Sequence, residues 1–220
     1  MLRHDCVRAI ALLNAVRAAP PTAGITMTTA TPATRPSPLP APTVRRLAAL
    51  DESLLHGLAD LLIDCVDGGA SVSFMQPLPQ ADALTFWREV AAEVAAGRRA
   101  LWVASDGGAV VGTVQLVLAQ PPNQPHRADL AKMLVHRQSR RRGVGALLMA
   151  AAEQGARDAG KTLLVLDTAS ADAERLYARN GWQRCGTIPG YALLPDGTPC
   201  DTTYFYRQLS SDVRSTPATP

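Results

Sequence analysis

A short stretch of arginine and glycine between residues 136 and 145 has the composition of a phosphate-binding turn. It reads HRQSRRRGVG, and apolar residues recur at helical spacing from Val144 onward, so we expect a helix to begin within it. The first amide groups of a helix lack intrahelical partners and lie at the positive end of its dipole, where anions bind. Glycines at 143 and 145 allow a diphosphate to approach closely, and the arginines supply guanidinium donors. The pattern predicts a pyrophosphate site; the alternative is a structural turn beside a solvated run of charge.

The elements around this turn predict a mixed α/β domain over residues 43–209. Asp51 is a suitable cap for a first helix, and the turn Ser105-Asp106-Gly107-Gly108 is typical of a hairpin. The predicted elements are a strand at 44–47, a helix from Asp51, a helix at 80–96, a hairpin of 100–104 with 110–118, a strand at 129–135, the helix that follows Gly143, a strand at 162–166 ending at Asp167, a helix at 171–180 and a strand after Trp182.

Two motifs on these elements resemble those of the GNAT acetyltransferase family. Arg140-x-x-Gly143-x-Gly145 is similar to the family's Arg/Gln-x-x-Gly-x-Gly/Ala turn. The second family pattern, Asn-x-x-Ala-x-x-Leu-Tyr-x-x-x-Gly-Phe, is matched by Ala173, Leu176, Tyr177, Gly181 and, with another aromatic residue, Trp182, while Ser170 replaces the asparagine. The resemblance extends over roughly residues 44–209. Segments 121–135 and 188–206 further resemble the antibiotic-modifying branch typified by the tabtoxin resistance protein.

The resemblance implies the GNAT fold, which belongs to the α/β (α+β) class. Its central sheet is mixed, mostly antiparallel and twisted, and two parallel strands splay apart to hold acetyl-CoA, the co-substrate. Backbone groups of one strand would pair with the pantetheine amides, and the glycine turn would bind the pyrophosphate. The cofactor-binding residues that the resemblance implies are Met133, Leu134, Val135, Arg140, Arg141, Arg142, Gly143, Val144, Gly145, Ala146 and Ser170.

Acetyl transfer to an amine needs a neutral nucleophile, a donor for the oxyanion and a proton for the leaving thiolate. The resemblance assigns the last role to Tyr177, and a backbone amide near Leu134 or Val135 would stabilise the oxyanion. Asp129 and Asp167 are the candidates to take the amine proton, directly or through water; Asp167 could instead bind the substrate ammonium. The structural alternatives are hydrogen-bonded carboxylates and a core aromatic. We expect no metal site.

The leading hypothesis is an acetyl-CoA-dependent N-acetyltransferase that acts by direct transfer on a small amine, such as an amino acid analogue or an antibiotic. Loops carrying Phe74, Met75, Asn123 and Tyr191 are expected to wall the acceptor site. Two alternatives stay open: acetylation of a protein lysine or N-terminus, and a non-catalytic domain that senses acyl-CoA. The chain keeps both a candidate cleft carboxylate and the motif tyrosine, which favours catalysis over sensing.

Residues 155–162 also match the Walker A pattern of nucleotide-binding P-loops. The context is reversed, because a P-loop follows a strand and opens a helix, whereas this match ends a helix and leads into a strand. Gly155 is then expected on the packed side of the helix, and Gly160 as its left-handed terminator. We therefore expect no P-loop.

Composition limits the remaining classes. Residues 1–42 are rich in proline and hold four arginines and one aspartate, which accounts for the whole net charge of +3. The folded part is therefore neutral, and we expect no nucleic-acid partner. No run of about 18 uncharged apolar residues occurs, so no membrane segment is expected.

The segment 1–42 reads as a disordered or non-native extension, with Met27 as an alternative start or a signal peptide as a weaker interpretation, and 210–220 as a flexible tail. Four scattered cysteines, without zinc spacing, indicate a reducing cytoplasm. A homodimer is left open.

Overall fold

A seven-stranded sheet organises residues 41–209, the part of the chain that the computed structural model describes. Residues 1–40 of the predicted extension and the predicted tail lie outside the described residues. The strands are β1 (Thr43–Leu47), β2 (Arg99–Asp106), β3 (Ala109–Val117), β4 (Arg127–Val135), β5 (Leu163–Thr168), β6 (Gln183–Leu193) and β7 (Pro199–Gln208). The helices are α1 (Glu52–Asp67), α2 (Gln80–Ala95), α3 (Val144–Asp158) and α4 (Ala171–Arg179), and a 3-10 turn occupies Arg137–Ser139.

The sheet is mixed and mostly antiparallel, as predicted. The strand order is β1-β2-β3-β4-β5-β7-β6, and β4 with β5 is its parallel pair. The last described strand, β7, lies antiparallel between β5 and β6, inside the sheet rather than at its edge. The parallel pair at the centre is joined through α3, as a crossover between parallel strands requires.

Alternating side chains of β2 divide the core into two layers. Leu101 and Val103 pack under α1 and α2, whereas Trp102 and Ala104 face α3. The predicted cap holds the first helix, because the Asp51 side chain accepts a hydrogen bond from the Leu54 amide at 2.8 Å. None of the four helices in residues 41–209 has the length and hydropathy needed to cross a bilayer.

The segment that imitates a P-loop is structural, as expected. A Cβ on Gly155 would lie 2.2 Å from Cζ2 of Trp102, so the glycine is required for α3 to contact β2. Gly160 has φ +70 and follows the helix end, and the Lys161 ammonium donates to the backbone carbonyls of Leu118 and Pro125. The lysine is therefore bound to backbone and not free for a phosphate.

Candidate active site

The central feature of the site is a gap between β4 and β5. These strands pair only through Arg127 to Asp129 on one side and Leu163 to Val165 on the other. Beyond that point they diverge, as predicted, and their facing backbone groups are no longer paired with each other. A cleft of about 1020 Å³ opens there, bounded by β4, β5, the start of α3 and α4. The cleft can accept an extended chain with amide groups as if it were an added strand.

A β-bulge shapes the β4 side of the cleft. Gln115 pairs with Ala131 and Thr113 with Leu134, so that Lys132 and Met133 both lie opposite one residue of β3. Lys132 has φ 49, a left-handed backbone conformation that residues other than glycine rarely adopt. The residues of this bulge line the cleft, where β4 no longer pairs with β5.

The glycine turn forms the anion-binding end of the cleft. Gly143 caps α3 with φ 81 and no side-chain cap, so the first amides of the helix have no intrahelical partners. Gly145 permits close packing of α3 on α4, since a Cβ there would lie 3.0 Å from Cδ2 of Leu176. The free amides and the positive end of the helix dipole attract a diphosphate, and the absence of side chains at both glycines leaves room for it.

The four arginines of the turn divide into two pairs. Arg140 and Arg141 line the cleft, and Nε of Arg140 donates to the Val135 carbonyl at 3.2 Å. Arg142 instead contacts Asp106 of the β2–β3 hairpin at 2.8 Å, and Arg137 contacts Asp64 of α1 at 2.8 Å. The structure therefore does not bring Arg142 into the cleft, because the hairpin carboxylate holds its guanidinium elsewhere.

The other residues implied for cofactor binding reach the cleft. Ser170 lies at its rim, where its hydroxyl accepts a hydrogen bond from the Ala173 amide at 3.4 Å and caps α4. The predicted cofactor residues that line the cleft are Met133, Leu134, Val135, Arg140, Arg141, Gly143, Val144, Gly145, Ala146 and Ser170.

Tyr177 of α4 lines the cleft although it is only 4% exposed. Its ring lies against Trp182 and Phe205, with centroids 5.9 and 5.7 Å away. Burial, and to a lesser extent the charge of Asp167, raise the pKa of the Tyr177 phenol above its usual value. The phenol is therefore protonated at neutral pH and able to donate.

Of the two candidate carboxylates, the structure brings only Asp167 to the cleft. Asp167 lies on the part of β5 that no longer pairs with β4, and burial raises its pKa. Asp129 lies where β4 and β5 are still paired, and its oxygens accept hydrogen bonds from Arg127 at 2.8 Å and Gln120 at 3.1 Å. The position of Asp129 in the paired half of the strands keeps it out of the cleft lining.

Lys132 is a cleft residue that sequence reasoning missed. Its ammonium donates to the Val72 carbonyl at 2.7 Å and to the Ser73 hydroxyl at 3.1 Å, and it lies 5.7 Å from the ring centroid of Phe74. Burial lowers the pKa of Lys132 to about 8, although Asp167 opposes the shift. A lysine inside an otherwise apolar strand, in the sequence DLAKMLV, was the available signal.

The four residues expected to wall the acceptor site do not line the cleft. Phe74 packs edge-on against Phe86, with ring centroids 5.3 Å apart, and Met75 is exposed. Tyr191 is also exposed, and its hydroxyl is 3.0 Å from that of Tyr204. Asn123 precedes β4 and so lies at the opposite end of that strand from the gap. Their neighbours Val72, Ser73 and Leu194 line the cleft instead.

Comparison with known proteins agrees with this arrangement. A profile of the acetyltransferase (GNAT) family matches residues 69–182, just over half of the chain. The structure of yncA from Salmonella typhimurium with its cofactor acetyl-CoA has a TM-score of 0.64 at 19% identity, and the match covers 79% of this chain and 97% of that chain. The described fold is therefore a GNAT fold.

Two relatives extend the comparison to sequence. An uncharacterized N-acetyltransferase from the hisH-hisA intergenic region of Azospirillum brasilense is 31% identical over 127 residues, which are 57% of this chain and 74% of that protein. N-acetyltransferase 8B of Rattus norvegicus is 38% identical over 88 residues, 39% of this chain and 40% of the relative, so the match spans less than half of that protein. The profile match, the fold and the relatives agree: the chain belongs to the GNAT family of acetyltransferases, which use acetyl-CoA.

Proposed function

We propose that this protein transfers the acetyl group of acetyl-CoA directly to the amine of a small molecule bound in the same cleft. The observation that carries the small-molecule assignment is a contact between two segments beside the cleft. The Gln76 amide donates to the Pro195 carbonyl at 3.0 Å, and the Ser71 hydroxyl donates to the Leu193 carbonyl at 3.0 Å. These bonds join the α1–α2 segment to the β6–β7 turn on one side of the cleft, which favours a small acceptor over an extended peptide.

The residues of the cleft supply the chemistry of such a transfer. The amine nitrogen forms a bond to the acetyl carbon while the carbon–sulfur bond breaks. Asp167 accepts the proton that the nitrogen loses, and Tyr177 donates a proton to the departing sulfur. A thiol of pKa about 8.5 needs only modest assistance from a phenol of intrinsic pKa about 10. Backbone amides at the end of β4 stabilise the oxyanion.

The anion-binding turn positions the co-substrate. Amides at the start of α3, with Arg140 and Arg141, hold the diphosphate, and backbone groups of Met133 to Val135 pair with pantetheine. Resemblance to the tabtoxin resistance protein branch adds amino acid analogues and β-lactam amino acids to the acceptors to be tested. Cys65, Cys185 and Cys200 are free thiols in the described part of the chain, which favours a cytoplasmic location.

Release of the CoA thiol from acetyl-CoA tests this proposal. The full chain is assayed against amino acids, β-lactam amino acids, aminoglycosides, polyamines and a lysine-containing peptide, with a reaction lacking acceptor as the control. We expect thiol release with one class of small amine and none above background with the peptide. Release with the peptide alone would assign a protein acetyltransferase. Tight acetyl-CoA binding without release by any acceptor would assign a sensor.

A further inference from the structure

Lys132 is a partly buried cation inside the cleft, and it has no charged partner of its own. Its ammonium donates to the Val72 carbonyl at 2.7 Å and to the Ser73 hydroxyl at 3.1 Å, which leaves one of its three hydrogens for another acceptor. No carboxylate among residues 41–209 forms an ion pair with it. Burial lowers the pKa of Lys132 to about 8, so the side chain is still charged at pH 7. An uncompensated positive charge in a cleft favours an anionic ligand.

Aromatic rings around the ammonium fix its position but do not neutralise it. The ring centroids of Phe74 and Phe86 lie 5.7 and 5.6 Å from Nζ of Lys132. Rings at this distance attract a cation without supplying a negative charge. In the proposed function the diphosphate of acetyl-CoA binds at the start of α3, beyond the end of β4. The charge of Lys132 is therefore left for a different anion.

Lys132 and Asp167 lie on the same face of the sheet, within one cleft. Leu166, the neighbour of Asp167 on β5, belongs to the core layer under α3, so Asp167 faces the opposite side. Lys132 contacts the α1–α2 segment, which covers that opposite side. Burial lowers the pKa of Lys132 and raises that of Asp167, and the charge of each residue opposes the shift of the other. The two charges are thus close enough to interact, although they form no ion pair.

This arrangement fits a ligand that carries both charges itself. An ammonium at Asp167 and a carboxylate at Lys132 would each gain a charge-assisted hydrogen bond. A simple alkylamine would bind Asp167 only and would bring a second cation near Lys132. A phosphate dianion is a poorer match than a carboxylate, because Asp167 would repel its additional charge. The cleft therefore favours a zwitterion.

We infer, on the basis of the proposed function, that the acceptor is an amino acid whose carboxylate binds Lys132 while its amine reacts beside Asp167. Lys132 determines specificity by direct contact with the acceptor, and its bonds to Val72 and Ser73 orient the ammonium. The substrate class is a zwitterionic amine rather than an alkylamine or a polyamine.

Matched acceptors test this inference. Removal of the carboxylate converts both 2-aminobutyrate and 4-aminobutyrate into propylamine, which is therefore the control for either spacing of the charges. Initial rates are measured at pH 7 with the parent protein, Lys132→Met and Lys161→Met. Lys161 is the matched control, because its ammonium also donates to backbone carbonyls but lies outside the cleft lining. We expect kcat/KM of the parent protein and of Lys161→Met to favour one of the aminobutyrates by about tenfold or more.

The Lys132→Met variant should lose this preference, and its kcat/KM with propylamine should not fall. An equal fall with all three acceptors would show that Lys132 only anchors the α1–α2 segment, and it would overturn the inference. Lys132→Gln provides the same comparison if Lys132→Met does not fold.

Saturation-transfer NMR with butyrate, which has the carboxylate and no amine, separates the inference from the proposed function. A binding signal is expected with the parent protein and Lys161→Met, but not with Lys132→Met. Acetylation of propylamine without a butyrate signal that depends on Lys132, or equal kcat/KM values for propylamine and both aminobutyrates, would overturn the carboxylate site and leave the acetyltransferase intact. Butyrate binding that depends on Lys132, with none of the amines acetylated, would keep the site and overturn the proposed reaction.

Discussion

The carboxylate of Asp167 and the phenol of Tyr177 face one cleft, where burial raises the pKa of Tyr177 and the charge on Asp167 adds to the shift. The two groups come from different elements, β5 and α4, which meet at the cleft between β4 and β5. When Asp167 accepts the amine proton its charge is neutralised, and this contribution to the pKa of Tyr177 disappears. Tyr177 thus becomes a better acid as the thiolate leaves, which couples the two proton transfers of the proposed reaction.

Replacement of Tyr177 by phenylalanine removes the proposed acid while keeping its ring against Trp182 and Phe205. We expect Tyr177→Phe to lower kcat by about 10²-fold or more without loss of acetyl-CoA binding, measured by thiol release and calorimetry. Tyr206→Phe is the control, because that phenol contacts Gln183 on β6. An unchanged kcat under conditions in which chemistry limits the rate would remove Tyr177 from the mechanism.

Asparagine variants separate the two carboxylates that the sequence left as alternatives. We expect Asp167→Asn to lower kcat/KM by about 10²-fold at neutral pH, because no group then accepts the amine proton. The defect should shrink as the pH approaches 10, where alkylamines begin to lose the proton unaided. Asp129→Asn should change kcat/KM less than about threefold, because Asp129 contacts Arg127 and Gln120 instead of the cleft. The reverse order of the two effects would assign the base to Asp129.

Lys132 makes the free energy of unfolding depend on pH. Its pKa is about 8 in the folded protein and about 10.5 in the unfolded chain, so between these values the unfolded chain binds more protons. Stability should therefore rise with pH over this window, and the penalty should be complete below pH 8. Relative to Lys132→Met, urea unfolding should show a gain of about 2–3 kcal/mol from pH 7 to pH 10. Parallel curves for the two proteins would show that Lys132 titrates normally.

The two arginines that face the cleft should differ from Arg142 in their effect on acetyl-CoA. We expect Arg141→Gln to raise the dissociation constant by about tenfold or more, since a charge-assisted hydrogen bond to phosphate is lost. Arg142→Gln should leave it nearly unchanged, because that side chain contacts Asp106. Calorimetry with acetyl-CoA provides the comparison. Equal losses in both variants would contradict the division of the turn into cleft and hairpin arginines.

Local patterns predicted the elements of this fold well. Asp51 caps α1, and the hairpin turn at residues 105–108 and the helix after Gly143 occur where turn and capping residues mark them. These features depend on interactions between near neighbours in the chain, which a sequence displays directly. The divergence of β4 from β5 was also predicted, but from the family resemblance and not from a local pattern.

The site was predicted less completely because side-chain partners are set by distant segments. Arg142 was expected at the pyrophosphate, but its guanidinium contacts Asp106 of the β2–β3 hairpin instead. Asp129 was a candidate base, but its carboxylate oxygens accept hydrogen bonds from Gln120 and Arg127. Lys132 stood out in the sequence as a lysine among apolar residues, but its burial depends on Phe74 and Phe86, which come from distant segments.

The most direct test of the central claim follows both products of one reaction. The full chain is incubated with acetyl-CoA and the small amine that gives the greatest thiol release, and free CoA thiol and N-acetylated amine are quantified together, the latter by mass spectrometry. We expect equal molar amounts of the two products, formed at a rate that falls about 10²-fold or more in Tyr177→Phe. Thiol release without acetylated amine, or tight acetyl-CoA binding with neither product, would contradict direct acetyl transfer in the cleft between β4 and β5.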